Sequence, residues 1–408
     1  MSRVLYLSQW FPPEPNTVGL QVAHGLQARG HEVEVLTGFP NYPTGKLAEG
    51  YRLAWHRREV VEGVVVHRVW LHPSHDRSSV GRALNYLSFF LSALVFLLFQ
   101  ARRFDVIYVY HPPLTPALAA AISGWFTRRP FIVEVQDLWP DSVATADMAG
   151  TGAIARVLGP LCRFVYRSAA GVLGQSDGMT ARLIERGAAA HKTGTVFNWA
   201  DEDAARAAGR RRTDDLGFEG RFNLVFAGNL GVVQALDALI EAAREAARQE
   251  PRIRLTLIGD GTEKARLEAL AARSDGVVQV RDAVPQREIG DVLAAADVLV
   301  VHLKDDPLFE ITLPSKLQFY LAMGRPVLTA VGGEAARITA GTGAGIAVAP
   351  GDVPALARAM VDLSRRPAAE LAAMGAAGRR AYDARFSFAE GIDRRAQAIA
   401  RVVARAAA

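Results

Sequence analysis

The chain has almost no cysteine. Cys162 stands alone among 408 residues, so no intrachain disulfide can form, which fits a reducing compartment. The His/Cys spacings of zinc sites are absent, and Asp305-Asp306 lacks the further spaced ligands that a cation needs. Neither a required metal nor a cofactor is expected. There is no RNA-type aromatic signature and no basic-helix motif, which argues against nucleic acid; Arg210-Arg211-Arg212 reads as a solvated linker face. No solenoid repeat is visible. The first eight residues pass directly into a strand-like run, without a charged n-region and an apolar h-region. No secretory signal is expected, and the protein is expected in the cytoplasm.

What is present is a globular composition, 50% hydrophobic and 22% charged, with a net charge of +5. A chain of 408 residues is too long for one ordinary core, so two domains are expected. Apolar strand runs at 4–8, 33–37, 64–69, 106–110, 131–135 and 172–173 are separated mostly by helical stretches; Val18, Val22 and Leu26 share one helix face, and Gly30 ends that helix. The pattern restarts with strands at 222–227, 255–258, 298–301, 327–330 and 346–348. Alternation of this kind predicts parallel sheets covered on both faces. The expected class is α/β, with two Rossmann-like domains facing each other across a cleft. Their bounds are 1–200 and 201–385, followed by a helix over 386–408 that braces both. The polar seam lies near 198–219.

Ligands in such sheets bind beyond the carboxyl ends of the strands. The loop Gly228-Asn229-Leu230-Gly231 follows a strand, and its glycines let backbone N–H groups approach a pyrophosphate. Gly259-Asp260-Gly261 repeats the arrangement, and a structural or base-proximal role is favoured there. Further on, Pro314 and Ser315 mark a helix start with Ser315 as N-cap. Lys316 then falls in the first turn, where a cation normally costs roughly 0.3–1 kcal/mol. An anion bound at that end would reverse the sign. With Glu310 close by, the arrangement suits a nucleotide-sugar. By contrast, Gly341-Thr342-Gly343-Ala344-Gly345 leads into a strand pattern, where a dinucleotide fingerprint requires a helix, so a dehydrogenase is disfavoured.

In the first half, Asp137 follows the strand at 131–135 and either holds a sugar hydroxyl or caps a turn. Glu14 and Asn16, in the loop after the first strand, and His111, at the end of another, are candidates for the acceptor side, with Glu14 a candidate base. Residues 86–99 are apolar nearly all round and span about 21 Å at 1.5 Å per residue, short of the ~30 Å hydrocarbon core. A buried helix and an interfacial one remain open. Arg77, Arg82, Arg102 and Arg103 flank the segment and point to an anionic membrane surface contacted through residues 84–103.

Phe11-Pro12-Pro13-Glu14, Asp137-Leu138-Trp139-Pro140, Phe197-Asn198-Trp199, the segment 226–231, Ile258-Gly259-Asp260-Gly261, Ala294-Ala295-Ala296-Asp297 and Leu313-Pro314-Ser315-Lys316-Leu317 occur in this order. Together they resemble the family-four retaining glycosyltransferases of the GT-B fold. The nearest branch is that of O-antigen, capsule and colanic-acid assembly, including the L-fucosamine transferases. The resemblance implies a nucleotide-sugar donor, UDP-linked as the first expectation, held by the C-terminal domain. It implies a lipid-linked saccharide acceptor on the N-terminal domain, net retention, no metal, and peripheral association with the inner membrane. By position, Gly228 and Asn229 would line the donor diphosphate, Lys316 would neutralise it, and Glu310 would stand near the first Glu of a Glu-x7-Glu motif. The second Glu falls near Phe319, with Gln318 as substitute. Basic residues that relatives carry around the donor loop are Asn229 and Gln234 here, and the His before Asp137 is Gln136. A GT-B epimerase and an inactive membrane-bound scaffold are the alternatives.

Overall fold

A computed structural model describes residues 1–15, 17–74, 79–111, 113–139, 151–209 and 216–407. Asn16, Arg77, Pro140 and Arg210-Arg211-Arg212, named above, lie outside the described residues. The chain divides into two compact units, one of residues 1–196 with 392–408 and one of residues 197–391.

The first unit holds an eight-stranded sheet. Its strands are β1 (Arg3–Leu7), β2 (Glu32–Gly38), β3 (His56–Val61), β4 (Val64–Val69), β5 (Val106–His111), β6 (Phe131–Val135), β7 (Gly171–Gly174) and β8 (Thr193–Thr195). Their order is β3-β4-β2-β1-β5-β6-β7-β8, and every pair is parallel except β3 with β4. β1 and β6 are buried along almost their whole length, as a strand covered on both faces must be. The β3–β4 hairpin turns through Glu62 (φ 47°) and Gly63 (φ 82°), the positive pair of a type I′ turn. Neither β3 nor β8 shows in the apolar pattern. The His56–Val61 edge is mostly exposed, and Thr193–Thr195 carries no apolar side chain.

The helix Ser79–Gln100 begins seven residues before the apolar run at 86–99. Its 22 residues make about 33 Å at 1.5 Å each, so the helix extends beyond the ~21 Å of the apolar segment 86–99. By length and composition Val80–Arg103 could cross a bilayer. One face nevertheless belongs to the unit. Phe89, Ala93 and Leu97 are buried there. Asn85 accepts from Gln9 at 2.6 Å and donates to His72 O at 2.8 Å and to Asn41 Oδ1 at 3.2 Å. The opposite face exposes Leu84, Leu87, Leu91, Val95 and Leu98 at helical spacing, with Phe99 79% exposed at its end. Buried and exposed faces therefore coexist on one helix.

The second unit holds six parallel strands: β9 (Phe222–Ala227), β10 (Ile253–Ile258), β11 (Val278–Arg281), β12 (Val298–His302), β13 (Val327–Ala330) and β14 (Gly345–Ala347). The order is β11-β10-β9-β12-β13-β14. Strand order reverses between β9 and β12, and there the loops leaving the carboxyl ends diverge and open a crevice. Gly345 begins β14 and the glycine run at 341–345 ends a helix, Gly333–Gly341, which is the opposite of a dinucleotide turn.

Candidate functional site

The crevice of the second unit is built by backbone fit. Gly228 (φ 136°) leaves β9, and Gly259 (φ 157°) leaves β10. A Cβ on Gly259 would sit 1.8 Å from the Gly228 carbonyl oxygen, so glycine is required for the two loops to lie back to back. Gly228 N–H donates to Ile258 O at 2.9 Å, Leu230 N–H to Asp260 O at 2.8 Å, and Gly231 N–H to the Gln234 side chain at 3.1 Å. This corrects the expected amide cradle. Three of the four loop N–H groups are already committed, and Leu230 is a buried core residue. Asn229 keeps its N–H without a partner among the described residues.

Positive charge comes instead from the helix Ser315–Met323. Pro314 occupies the N-cap and offers no side-chain oxygen, so Ser315 is the first helical residue and not the cap. The first-turn N–H groups therefore lack a side-chain cap. Lys316, Phe319 and Tyr320 stand at i, i+3 and i+4, on one face, and all three line a cavity of about 400 Å³ with Gly228, Asn229 and Asp260. Tyr320 pins this face to the end of β9: its hydroxyl accepts from Ala227 N–H at 2.9 Å. Gln318 points away from the cavity. It is buried and donates to Asn198 O at 2.7 Å, so it does not replace the missing second Glu. Pro314 and Ser315 stand at the helix end without lining the cavity.

The Lys316 ammonium is buried and has no hydrogen-bond partner among the described residues. It lies 3.5 Å from the Phe226 ring centroid, and a Cβ on Gly228 would be 3.1 Å from it. Burial pulls its pKa down to about 7. A buried cation with only a ring face for company is costly. An anion at Gly228 would satisfy it.

Sequence reasoning missed His302. It ends β12 at the reversal point and is fully buried. Its Nδ1 donates to Gln234 O at 2.7 Å, which fixes Nε2 as the acceptor in the neutral ring. Nε2 has no partner among the described residues, and burial lowers the ring's pKa, with the Lys316 charge lowering it further. The signal was available: a lone imidazole after an all-apolar strand at the carboxyl end. Gly332-Gly333 was missed as well. Gly333 (φ 63°) would place a Cβ 2.0 Å from the Glu310 carbonyl oxygen, so glycine lets Glu310 approach the loop after β13. Glu310 itself is exposed on the short helix Pro307–Ile311 and does not line the cavity. Asp306 caps that helix through Leu308 N–H at 2.9 Å and pairs with Lys304.

In the first unit the loop after β1 is closed by Glu14, 4% exposed. Its carboxylate accepts from Phe11 N–H at 3.0 Å and from Asn41 and Tyr42 N–H at 2.8 Å each. Burial raises its pKa while those N–H groups pull it down. Glu14 thus ties two loops together, and a buried carboxylate held by three N–H groups is poorly placed to act as the candidate base. His111 ends β5 beside Val135 of β6; its side chain is outside the description. Asp137, just past β6, reaches solvent, yet crowding by the surrounding protein raises its pKa.

Residues 15–199 match the glycosyl transferase 4-like domain, and residues 221–366 match the glycosyl transferases group 1 domain. A putative colanic acid biosynthesis glycosyl transferase, WcaI, of Escherichia coli K12 is 30% identical over 346 residues, 78% of this chain and 81% of the relative. Anabaena HepE, solved with UDP and glucose, superposes with a TM-score of 0.67 at 18% identity, over 98% of this chain and all of the other. The trehalose 6-phosphate synthase of Burkholderia multivorans gives 0.72 at 16% identity over the whole of both chains. At such identities the two structures speak for the GT-B fold.

Proposed function

Since the chain belongs to the glycosyltransferases that join a 4-like domain to a group 1 domain, we propose that it moves a sugar from a UDP-linked donor, with retention, to a lipid-linked saccharide in polysaccharide assembly. The observation that carries the donor half is the unpartnered Lys316 ammonium beside Gly228 at the end of β9. As the glycosidic bond to the diphosphate breaks, negative charge gathers on the departing oxygens. Lys316 and the uncapped helix end stabilise that charge more in the transition state than in the ground state. UDP in the HepE structure supports the choice of nucleotide, as does the colanic-acid relative for the pathway class. Glu310 and Asp137 are proposed to contact the donor sugar and the acceptor, respectively.

The test is a thermal-shift screen of nucleoside diphosphates. UDP should raise the melting temperature by mass action, and Lys316→Met should abolish the rise. No shift with any nucleoside diphosphate would sink the donor site.

The lowered pKa gives a second expectation. Free protein near neutral pH holds Lys316 only partly protonated. Bound diphosphate favours the ammonium, so binding takes up a proton above about pH 7. UDP affinity should therefore fall as pH rises through 7 to 9, by at most about tenfold per unit. Calorimetry in buffers of different ionisation enthalpy should show proton uptake on UDP binding to wild type that grows as pH rises from 7 to 9; uptake independent of pH would remove Lys316 as its source.

For the acceptor half, we infer that the exposed stripe of Ser79–Gln100 rests on the cytoplasmic face of a membrane, with Arg82, Arg102 and Arg103 at the headgroups. Flotation with anionic vesicles should be lost on Leu87→Asp, at a position that packs outward and leaves the fold unchanged. Flotation equal to wild type would remove the membrane contact.

A further inference from the structure

The first unit contains a second cavity, of about 740 Å³, between the β3–β4 hairpin and the helix Ser79–Gln100. Its walls are mainly Trp55, Trp70, Leu91, Val95, Phe96 and Phe99. The Trp55 and Trp70 rings lie 5.9 Å apart, and Trp55 is 82% exposed. An indole left in water beside a groove of carbon is unfavourable for a protein with nothing to place there. The two histidines of the wall are already paired. His67 joins Glu34 at 2.7 Å and His56 at 3.0 Å, and the Phe96 ring packs on both imidazoles. The hydroxyls of a sugar would find few partners along these apolar walls.

Length and charge narrow the occupant further. The groove follows the helix from Ser88 to Gln100, twelve steps or about 18 Å. One leaflet of acyl chains fills about half of the ~30 Å hydrocarbon core, or about 15 Å. Arg58 and Arg103 stand in the lining; Arg103 pairs with Glu34 at 3.6 Å and donates to Gln100 at 3.1 Å, while the Arg58 guanidinium has no ion pair or hydrogen bond among the described residues. Leu91, Val95 and Phe99 belong both to the groove and to the exposed stripe, so the two surfaces are continuous.

We propose that this groove takes one hydrocarbon chain of an anionic bilayer lipid, with Arg58 and Arg103 at its phosphate. The proposal rests on the membrane-contact reading above, and it adds a discrete lipid site to a general surface. Such a site would hold the first unit at a fixed depth in the interface.

The test uses the full chain and decyl phosphate kept below its micelle concentration. Calorimetry should give saturable one-to-one binding, with inorganic phosphate inert. Ser92→Trp sets an indole into the groove and should weaken binding at least tenfold. Arg58→Glu should weaken decyl phosphate at least tenfold and leave decanol unchanged. Far-UV circular dichroism and a cooperative urea transition of the first unit matching wild type certify each variant as folded; should Ser92→Trp fail that check, Arg58→Glu decides alone. Leu87→Asp, outside the lining, should lose vesicle flotation and keep decyl phosphate, which separates failure of the membrane reading from failure of the groove. With phosphatidylglycerol vesicles carrying brominated chains and no other lipid, tryptophan emission should be quenched in wild type and much less in Ser92→Trp. Decyl phosphate binding equally to wild type and Ser92→Trp would overturn the site. Binding without vesicle quenching would overturn the bilayer as its source. A concentration-dependent dimer that Ser92→Trp dissolves would assign the groove to a second copy of the chain.

Discussion

Lys316→Ala is expected to lower turnover by about 10²–10³-fold, the range for loss of one preorganised donor at developing negative charge. Chemical unfolding of the variant should change far less. Among the described residues the ammonium has no hydrogen-bond or ion-pair partner, so its removal breaks neither, and what is lost is its contact with the Phe226 ring face. The linkage sign agrees. The folded pKa of about 7 lies below the ordinary lysine value, so between those two values the unfolded chain binds more protons and stability rises with pH. Below about pH 7 the folded protein carries the full cost of the buried charge. The variant should lose that slope. Turnover near wild type, measured at saturating donor and acceptor, would remove Lys316 from the mechanism; a collapse of stability would make its role structural.

Arg395→Met is expected to have the largest effect on folding. Arg395 lies on the final helix, Phe388–Ala407, and is fully buried with Glu134 of β6. Glu134 accepts from Arg395 Nε at 3.0 Å, from a second guanidinium nitrogen, from Gln136 Nε2 at 2.7 Å and from the Tyr108 hydroxyl. Every lone pair of a buried carboxylate is thereby engaged. Removing one member leaves an uncompensated charge, which costs about 3–5 kcal/mol. Urea unfolding followed through the first unit should show a loss of that size. Arg395→Met with Glu134→Gln should recover part of it, because both charges then leave together. A loss under about 1 kcal/mol in the single variant would mean that water reaches Glu134. The network also explains why the last residues count with the first unit and not with the sequence next to them.

Much of the fold was legible because buried parallel strands must be apolar on both faces. β1, β6, β9 and β12 carry almost no polar side chain, and each appears as a run. The edge strands β3, β8 and β11 did not, since an edge has one wet side and can be built from HRREVV, TGT or VQVR. The candidate site was half legible. Lys316 could be placed in a first turn from its neighbours alone. Gln318 could not, because two residues further on the chain has turned by roughly 200°, and only packing says which face meets the strand ends.

Sequence alone determined the alternation of strand and helix, the restart after residue 221, and the glycines that leave β9 and β10. These are local properties, set by which residues can be buried and which backbone angles each allows. Only the tertiary structure decided that Tyr320 grips Ala227 and so carries the Lys316 ammonium to Gly228, that the loop amides are spent on one another, and that Glu14 faces inward. The reason is that a side chain's partner depends on the angle at which two distant elements pack, and no run of neighbouring residues encodes that angle.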